Sequence, residues 1–184
     1  IWLSTVLDRE MPSDSDPVKA LERAWALTAA ANNNRSYINN QTDLEQSGKK
    51  EVYTKIEIRK HYENSDYITY MMETNTYTGG LHGGHSNVGY TFNKTDMSLS
   101  DLISPDKVME YRKTITDELG KKLVRDPSKL FDLLLVDESC RSQGLVPLPA
   151  NGAYLEGDSL VFQYQEYEIA PYSAGMPSVS VKFN

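Results

Sequence analysis

His82 and His85 are the residues whose types and spacing come nearest to a metal site, because both lie in one short glycine-rich segment. Neutral imidazole nitrogens are good zinc ligands. The spacing is not that of a zinc-binding helix with its glutamate, however, and the sequence supplies no evident third ligand. The flanking glycines equally favour a backbone that turns tightly, with the histidines hydrogen-bonded to neighbouring strands. At the level of sequence both interpretations stay open.

Glu166 and Glu168 form a second candidate, since they flank Tyr167 and alternation along a strand would bring both carboxylates to one face. Paired carboxylates can act as acid and base at a glycosidic bond. A solvated strand face explains the same pattern more simply, because no second feature marks the pair. Tyr167 and Tyr172 bracket a break at Ala170-Pro171, and we expect this broken segment to present their rings to a partner.

The sequence lacks other catalytic signatures. It contains no serine nucleophile elbow, no Walker-type phosphate loop and no dinucleotide-binding glycine fingerprint. The single Cys140 cannot form an internal disulfide and lacks the repeated spacing of a thiolate metal site. We therefore expect no cofactor, and we expect binding in preference to catalysis.

The charge of the chain argues against two classes of partner. Its 19 Lys and Arg residues and 26 Asp and Glu residues give a net charge of -7. This charge opposes non-specific attraction to phosphate backbones and anionic lipid surfaces. The apolar run Leu130–Val136 is too short to cross a bilayer and suits a buried strand. We expect no nucleic acid as partner and no membrane-spanning segment.

Residues 1–52 are predicted to be the helical N-terminal part of a preceding companion domain. Asp16 followed by Pro17 is typical of a helix start, because the carboxylate can cap exposed amides and proline suits the first helical position. The alanine-rich stretch favours helix as far as Ala31, and the asparagines from Asn32 favour a stop.

Strand patterns begin near Tyr53. Rough alternation up to Tyr62, a polar turn, and renewed alternation over Tyr67–Tyr77 predict an antiparallel hairpin. A second hairpin is predicted around Gly157-Asp158, and Val179–Phe183 alternates as a last strand.

A long helix is predicted between these hairpins, from Ser104 to about Val124. Ser104-Pro105 repeats the pattern of a cap followed by proline. The apolar residues that follow are spaced by three and four, which forms one stripe suited to covering a sheet face: Val108, Tyr111, Ile115, Leu119 and Leu123. The order of elements lacks the βαβ rhythm of a parallel sheet. The predicted fold class is α+β, with an antiparallel β-sheet packed against one long helix and an additional N-terminal helix.

Two blocks of sequence carry a family resemblance: Tyr77-Thr78-Gly79-Gly80-Leu81-His82-Gly83-Gly84 and Tyr167-Glu168-Ile169-Ala170-Pro171-Tyr172-Ser173-Ala174-Gly175. They resemble the RsiV-like family, a bacterial domain shared by the anti-sigma factor RsiV and the polysaccharide deacetylase PdaC. Leu99–Ile103 is similar to the acidic-leucine stretch before the helix of that family, and Gly157–Phe162 to its late hairpin. The resemblance covers about Tyr53 to Asn184 and implies one α+β domain over residues 53–184.

The resemblance also implies a place and a role. The family domain lies outside the cytoplasmic membrane, and in RsiV it binds lysozyme. We therefore expect a non-catalytic extracytoplasmic binding or sensing domain of the bacterial cell envelope, secreted or lipid-anchored through a removed leader. The expected partner is a lysozyme-like protein or a peptidoglycan fragment. The candidate binding residues come from the two blocks: Thr78, Gly79, Gly80, His82, Gly83, His85, Tyr167, Glu168 and Tyr172.

One alternative belongs to a different functional class. If His82 and His85 hold a metal, the chain would be a metal-dependent hydrolase, or an accessory domain, acting on envelope polysaccharide.

Overall fold

A computed structural model describes residues 53–77 and 82–183, which form antiparallel sheets and helices and so confirm the α+β class. The described residues form two three-stranded sheets, where the sequence had suggested one. The predicted N-terminal helix lies outside the described residues. In chain order the elements are β1 (Tyr53–Glu63), β2 (Tyr67–Tyr77), β3 (Gly84–Asn93), α1 (Val108–Leu123), α2 (Leu130–Leu133), α3 (Glu138–Gln143), β4 (Tyr154–Glu156), β5 (Ser159–Gln163) and β6 (Ser178–Lys182).

The chain divides into two compact units. Of the described residues, the first unit contains 53–56, 74–77 and 82–84, and the second contains 57–73 and 85–183. The long helix, the second sheet and the tyrosine segment described below all belong to the second unit. The division into residues 1–52 and 53–184 stays a prediction.

The first sheet has the strand order β1-β2-β3. The predicted turn between β1 and β2 is present, because the Asn64 side-chain oxygen accepts hydrogen bonds from Asp66 N at 2.9 Å and Tyr67 N at 2.7 Å. This side chain closes the turn by mimicking a backbone turn. Antiparallel strands can be joined by so short a connection, whereas parallel strands need a crossover of a dozen or more residues.

The second sheet has the order β4-β5-β6 and confirms the late hairpin. Tyr154 pairs with Val161, and Phe162 pairs with Val179, both antiparallel. Gly157 has φ 64° at the turn between β4 and β5, a backbone conformation that glycine adopts without steric cost. Val179 in β6 is buried, as its alternation predicts.

Helix α1 begins where the sequence predicts, with a 3-10 turn at Pro105–Lys107 that continues into Val108–Leu123. Its buried stripe consists of Tyr111, Ile115 and Leu119. These side chains belong to the same hydrophobic cluster as Phe162 and Val179 of the second sheet, and the ring centroids of Tyr111 and Phe162 lie 5.3 Å apart. The largest core of the described residues therefore lies between α1 and strands β5 and β6.

The run Leu130–Val136 does not form the expected buried strand, because Leu130–Leu133 is helical. The side chain of Asp126 accepts a hydrogen bond from Ser128 N at 3.1 Å, and Pro127 occupies the first position of the 3-10 turn that follows. A capped turn of this kind starts a helix whatever the apolar character of the residues after it.

A buried hydroxyl chain joins β2, β3 and β4. Thr69 Oγ1 donates to Leu155 O at 2.8 Å, so its contact of 2.8 Å with Thr91 Oγ1 must use the hydrogen of Thr91. Thr91 Oγ1 accepts in turn from Leu155 N at 2.9 Å. Both hydroxyls and the Leu155 N–H and C=O therefore have hydrogen-bond partners, as buried polar groups normally do.

Within residues 53–77 and 82–183, the helices are all too short or too polar to cross a membrane.

Candidate functional site

The segment from Gln165 to Tyr172, called here the tyrosine turn, contains one of the two non-glycine residues with positive φ among the described residues, the other being Met97. Residues 166–168 form a turn, so the expected strand with two carboxylates on one face is wrong. The cause is local: Glu168 Oε2 accepts a hydrogen bond from Gln165 N at 2.7 Å and closes the turn. Short polar bonds of this kind compete with the sheet ladder.

Tyr167 at the tip of the turn has φ 62°, in the left-handed region. This conformation costs a non-glycine residue roughly 1–2 kcal/mol. Backbone strain held by surrounding structure concentrates at functional sites, and an observed outlier is a reason to look for function there.

Three side chains clamp the tyrosine turn to the rest of the second unit. The Gln165 amide accepts from Asn87 N at 2.8 Å and donates to Asn87 O at 3.0 Å, so it pairs with the edge of β3 as a strand would. Glu166 Oε2 accepts from His85 N at 3.1 Å. Glu168 Oε1 accepts from Ala150 N at 2.6 Å. Hydrogen bonds to ionised carboxylates are the stronger kind, so the turn is held firmly.

The clamped turn presents two aromatic rings to solvent. Tyr167 is 52% exposed and Tyr172 is 43% exposed, with ring centroids 5.7 Å apart and an interplanar angle of 30°. Pro171 is extended, and the 3-10 turn Tyr172–Ala174 follows it. Both rings are exposed and close to each other, and their presentation to a partner stays a prediction. Rigid, amphipathic tyrosine rings on a fixed backbone suit recognition, because little conformational entropy is lost on binding.

His85 lies beside this turn and contacts a carboxylate. Its Nε2 lies 3.2 Å from Glu73 Oε1, and both side chains are about one-third exposed at 35% and 33%. A hydrogen bond to a carboxylate fixes the tautomer of an imidazole. His85 thus combines a side-chain contact with Glu73 and a backbone bond to Glu166, and both help to position the end of β3.

His82 and Gly83 lie in the first unit. His82 is exposed, and its Nδ1 lies 2.9 Å from Gly83 O. A Cβ added to Gly83 would lie 2.4 Å from Thr76 O, so only glycine fits there. This close backbone approach agrees with the tight-turn interpretation of the segment. Thr78, Gly79 and Gly80 lie outside the described residues.

Residues 53–77 and 82–183 contain no group of three or more His, Cys, Asp or Glu side chains placed to hold a metal ion. Cys140 is partly buried in α3, and desolvation raises the pKa of its thiol. A raised pKa lowers the thiolate fraction, so this cysteine is a poor nucleophile.

Sequence reasoning missed two residues of the site, Gln165 and Glu73. The Gln165 clamp joins positions 78 residues apart in the sequence, and no local pattern reports such a pairing. Glu73 lies within a strand of ordinary alternation. The only sequence signal for either is its proximity to one of the two unusual blocks.

Comparison with known proteins identifies a sequence family for part of the chain. Residues 100–184 match the family described as "Protein of unknown function (DUF3298)", a range that includes the tyrosine turn. No curated protein matches the chain.

Two solved structures are similar in fold. A DUF3298 family protein from Pseudomonas aeruginosa PAO1 is 14% identical, with a TM-score of 0.55 over 78% of this chain and 64% of its own length. A DUF3298 family member from Bacteroides fragilis NCTC 9343 is 16% identical, with a TM-score of 0.61 over 99% of this chain and 72% of its own. This chain thus spans less than two thirds of the Pseudomonas protein. From residue 100 onward the sequence matches DUF3298, and the fold is similar to that of DUF3298 family proteins.

Proposed function

We propose that this chain is a non-catalytic binding or sensing module of the bacterial cell envelope, and that the tyrosine turn is its recognition surface. The observation that carries the proposal is the exposed pair Tyr167 and Tyr172, held on a strained and clamped turn. Two neighbouring aromatic rings on a backbone fixed by three side chains form a preorganised contact surface.

The partner proposed for this surface is a lysozyme-like protein or a peptidoglycan fragment. The support is the resemblance of the Tyr167–Gly175 block to the RsiV-like family, whose domain binds lysozyme in RsiV. The same resemblance supports an extracytoplasmic location, secreted or lipid-anchored. The rings offer stacking area for a sugar face or an apolar anchor for a protein surface.

The test is a direct binding measurement with purified chain against lysozyme and, separately, against soluble peptidoglycan fragments. We expect saturable binding to one of them, weakened at least about 10-fold by Tyr172→Ala, since aromatic hot spots contribute about 2 kcal/mol or more. Met109→Ala is the matched control, because Met109 is a comparably exposed apolar side chain, 56% exposed, on helix α1.

Two results would refute the proposal. One is the absence of saturable binding to either ligand. The other is an equal loss of affinity in Tyr172→Ala and Met109→Ala, which would show that the rings play no particular part.

A further inference from the structure

A cleft of about 280 Å³ opens along the outer edge of β3, and neither Tyr167 nor Tyr172 lines it. Its walls come from β3, from the segment at residues 99–103 and from residues 151–153. Pockets for drug-sized ligands occupy roughly 300–1,000 Å³. A cleft just below this range suits a ligand about the size of one sugar ring.

The edge of β3 offers one backbone N–H and one backbone C=O, both of Gly89, to this cleft. Asn87 N and O bond to the Gln165 side chain, and Thr91 O accepts from Ser100 N at 2.8 Å. Alternate residues of an edge strand direct N–H and C=O to the same side, so those of Gly89 face this edge too. No bond from the Gly89 backbone to this side occurs among the described residues.

The position cannot carry a side chain. A Cβ at Gly89 would lie 2.3 Å from the ring of Tyr154, and Gly89 lines the cleft. Glycine therefore lets the Tyr154 ring pack directly on the backbone of β3 beside the cleft.

Polar side chains converge on the same space. Ser100 Oγ is buried and has no hydrogen-bond partner among the described residues, although buried hydroxyls are normally bonded. Asp101 and Asn151 are exposed at the mouth of the cleft. Leu99, Leu102 and Ile103 supply an apolar wall.

The charge of the cleft excludes one class of ligand. The lining contains no Lys, Arg or His, and its one formal charge is the Asp101 carboxylate. Phosphates and carboxylates would be desolvated there without a counter-charge. A neutral ligand with an amide, hydroxyl groups and an apolar ring face satisfies all the groups present.

We propose that this cleft binds the acetamido group of an N-acetylated amino sugar. The acetamido C=O accepts a hydrogen bond from Gly89 N–H, the sugar hydroxyls bond to Gly89 C=O, Ser100 and Asp101, and the apolar wall contacts the ring. An extended peptide does not fit, because Gln165 and Ser100 occupy the edge positions on both sides of Gly89. The proposal does not rest on the role of the tyrosine pair, and the two can fail separately.

The test is a titration of the isotope-labelled chain with N-acetylglucosamine, followed by amide chemical shifts. We expect saturable shifts centred on Gly89 and Ser100, and much smaller shifts with glucose, which lacks the amide. Ser100→Ala removes one neutral hydrogen bond and weakens the affinity roughly 5-fold. Its unfolding midpoint does not fall, since Ser100 Oγ has no protein partner to lose. Ser142→Ala, at an exposed site in α3, is the control and keeps wild-type affinity.

Three outcomes overturn the proposal. They are no saturable shift with N-acetylglucosamine, equal binding of glucose or of the peptide mimic N-acetylglycinamide, and shifts confined to Tyr167 and Tyr172. The last outcome would favour the tyrosine turn as the sugar site and so leave the proposed function standing.

Discussion

Replacing Tyr167 separately by Gly and by Ala isolates the backbone strain of the tyrosine turn. Both variants remove the exposed ring and its contact with Tyr172, whose centroid lies 5.7 Å away. They differ in the backbone, because φ is 62° and only glycine adopts this conformation freely. The difference in their stability therefore reports on the turn and not on the ring.

The size of the difference follows from two opposing effects. The left-handed conformation costs a residue with a Cβ roughly 1–2 kcal/mol. Glycine also has more conformational entropy in the unfolded chain, which lowers the stability of the glycine variant by roughly 0.5–1 kcal/mol. Tyr167→Gly should accordingly be more stable than Tyr167→Ala, by up to about 1.5 kcal/mol, although glycine is the more flexible residue.

Urea unfolding at equilibrium, with a common slope fitted to both variants, measures this difference. If Tyr167→Ala is the more stable of the two, the backbone at position 167 is not left-handed in solution. The description of the turn as strained and clamped would then be wrong. Both variants should also lose binding to the same extent, since both lack the ring.

Three further predictions concern buried residues of strands β3 and β4. Gly89→Ala should destabilise the chain by about 1–3 kcal/mol and lower its melting temperature, because the new methyl group would meet the Tyr154 ring at 2.3 Å; an unchanged melting temperature would contradict this packing. Thr91→Val should lower the free energy of unfolding in urea by about 1–3 kcal/mol, because Leu155 N and Thr69 Oγ1 lose a buried partner. The control Thr95→Val, at an exposed turn position, should change this free energy little. Burial raises the pKa of Tyr154 from 10.0 to about 12, so the unfolded chain ionises first. The corresponding stabilisation, ~3 kcal/mol, is complete below about pH 10 and is lost as the pH rises through 12. The free energy of unfolding, measured between pH 8 and pH 12, should therefore fall less steeply with pH in Tyr154→Phe than in the wild type. An equal fall in both proteins would contradict burial of this hydroxyl.

Local patterns were sufficient for much of the fold. The turn at Asn64, the turn at Gly157 and the start of α1 at Ser104-Pro105 all depend on residues within a few positions of one another. Such signals act through side-chain caps and backbone preferences, which are the same in every context. The same local signal was overlooked at Asp126, where a capped turn changes an apolar run from strand to helix.

The candidate site could be predicted only in part. The composition of the Tyr167–Tyr172 segment indicated two exposed rings, and the structure has them. Its backbone was misjudged as strand, because the bonds that shape it reach Ala150 and Asn87 from other parts of the chain. Contacts over such distances leave no periodic trace in the sequence, and neither does the division into two sheets.

Mapping tyrosine nitration by mass spectrometry tests the central claim most directly. In the free chain, Tyr167 and Tyr172 should be modified more readily than the other tyrosines whose exposure the structure describes, while Tyr154 and Tyr164 stay protected because they are buried. Addition of saturating lysozyme or, separately, of peptidoglycan fragments should protect both exposed rings in one of the two mixtures. Undiminished nitration of Tyr167 and Tyr172 in both mixtures would contradict the assignment of the tyrosine turn as the recognition surface.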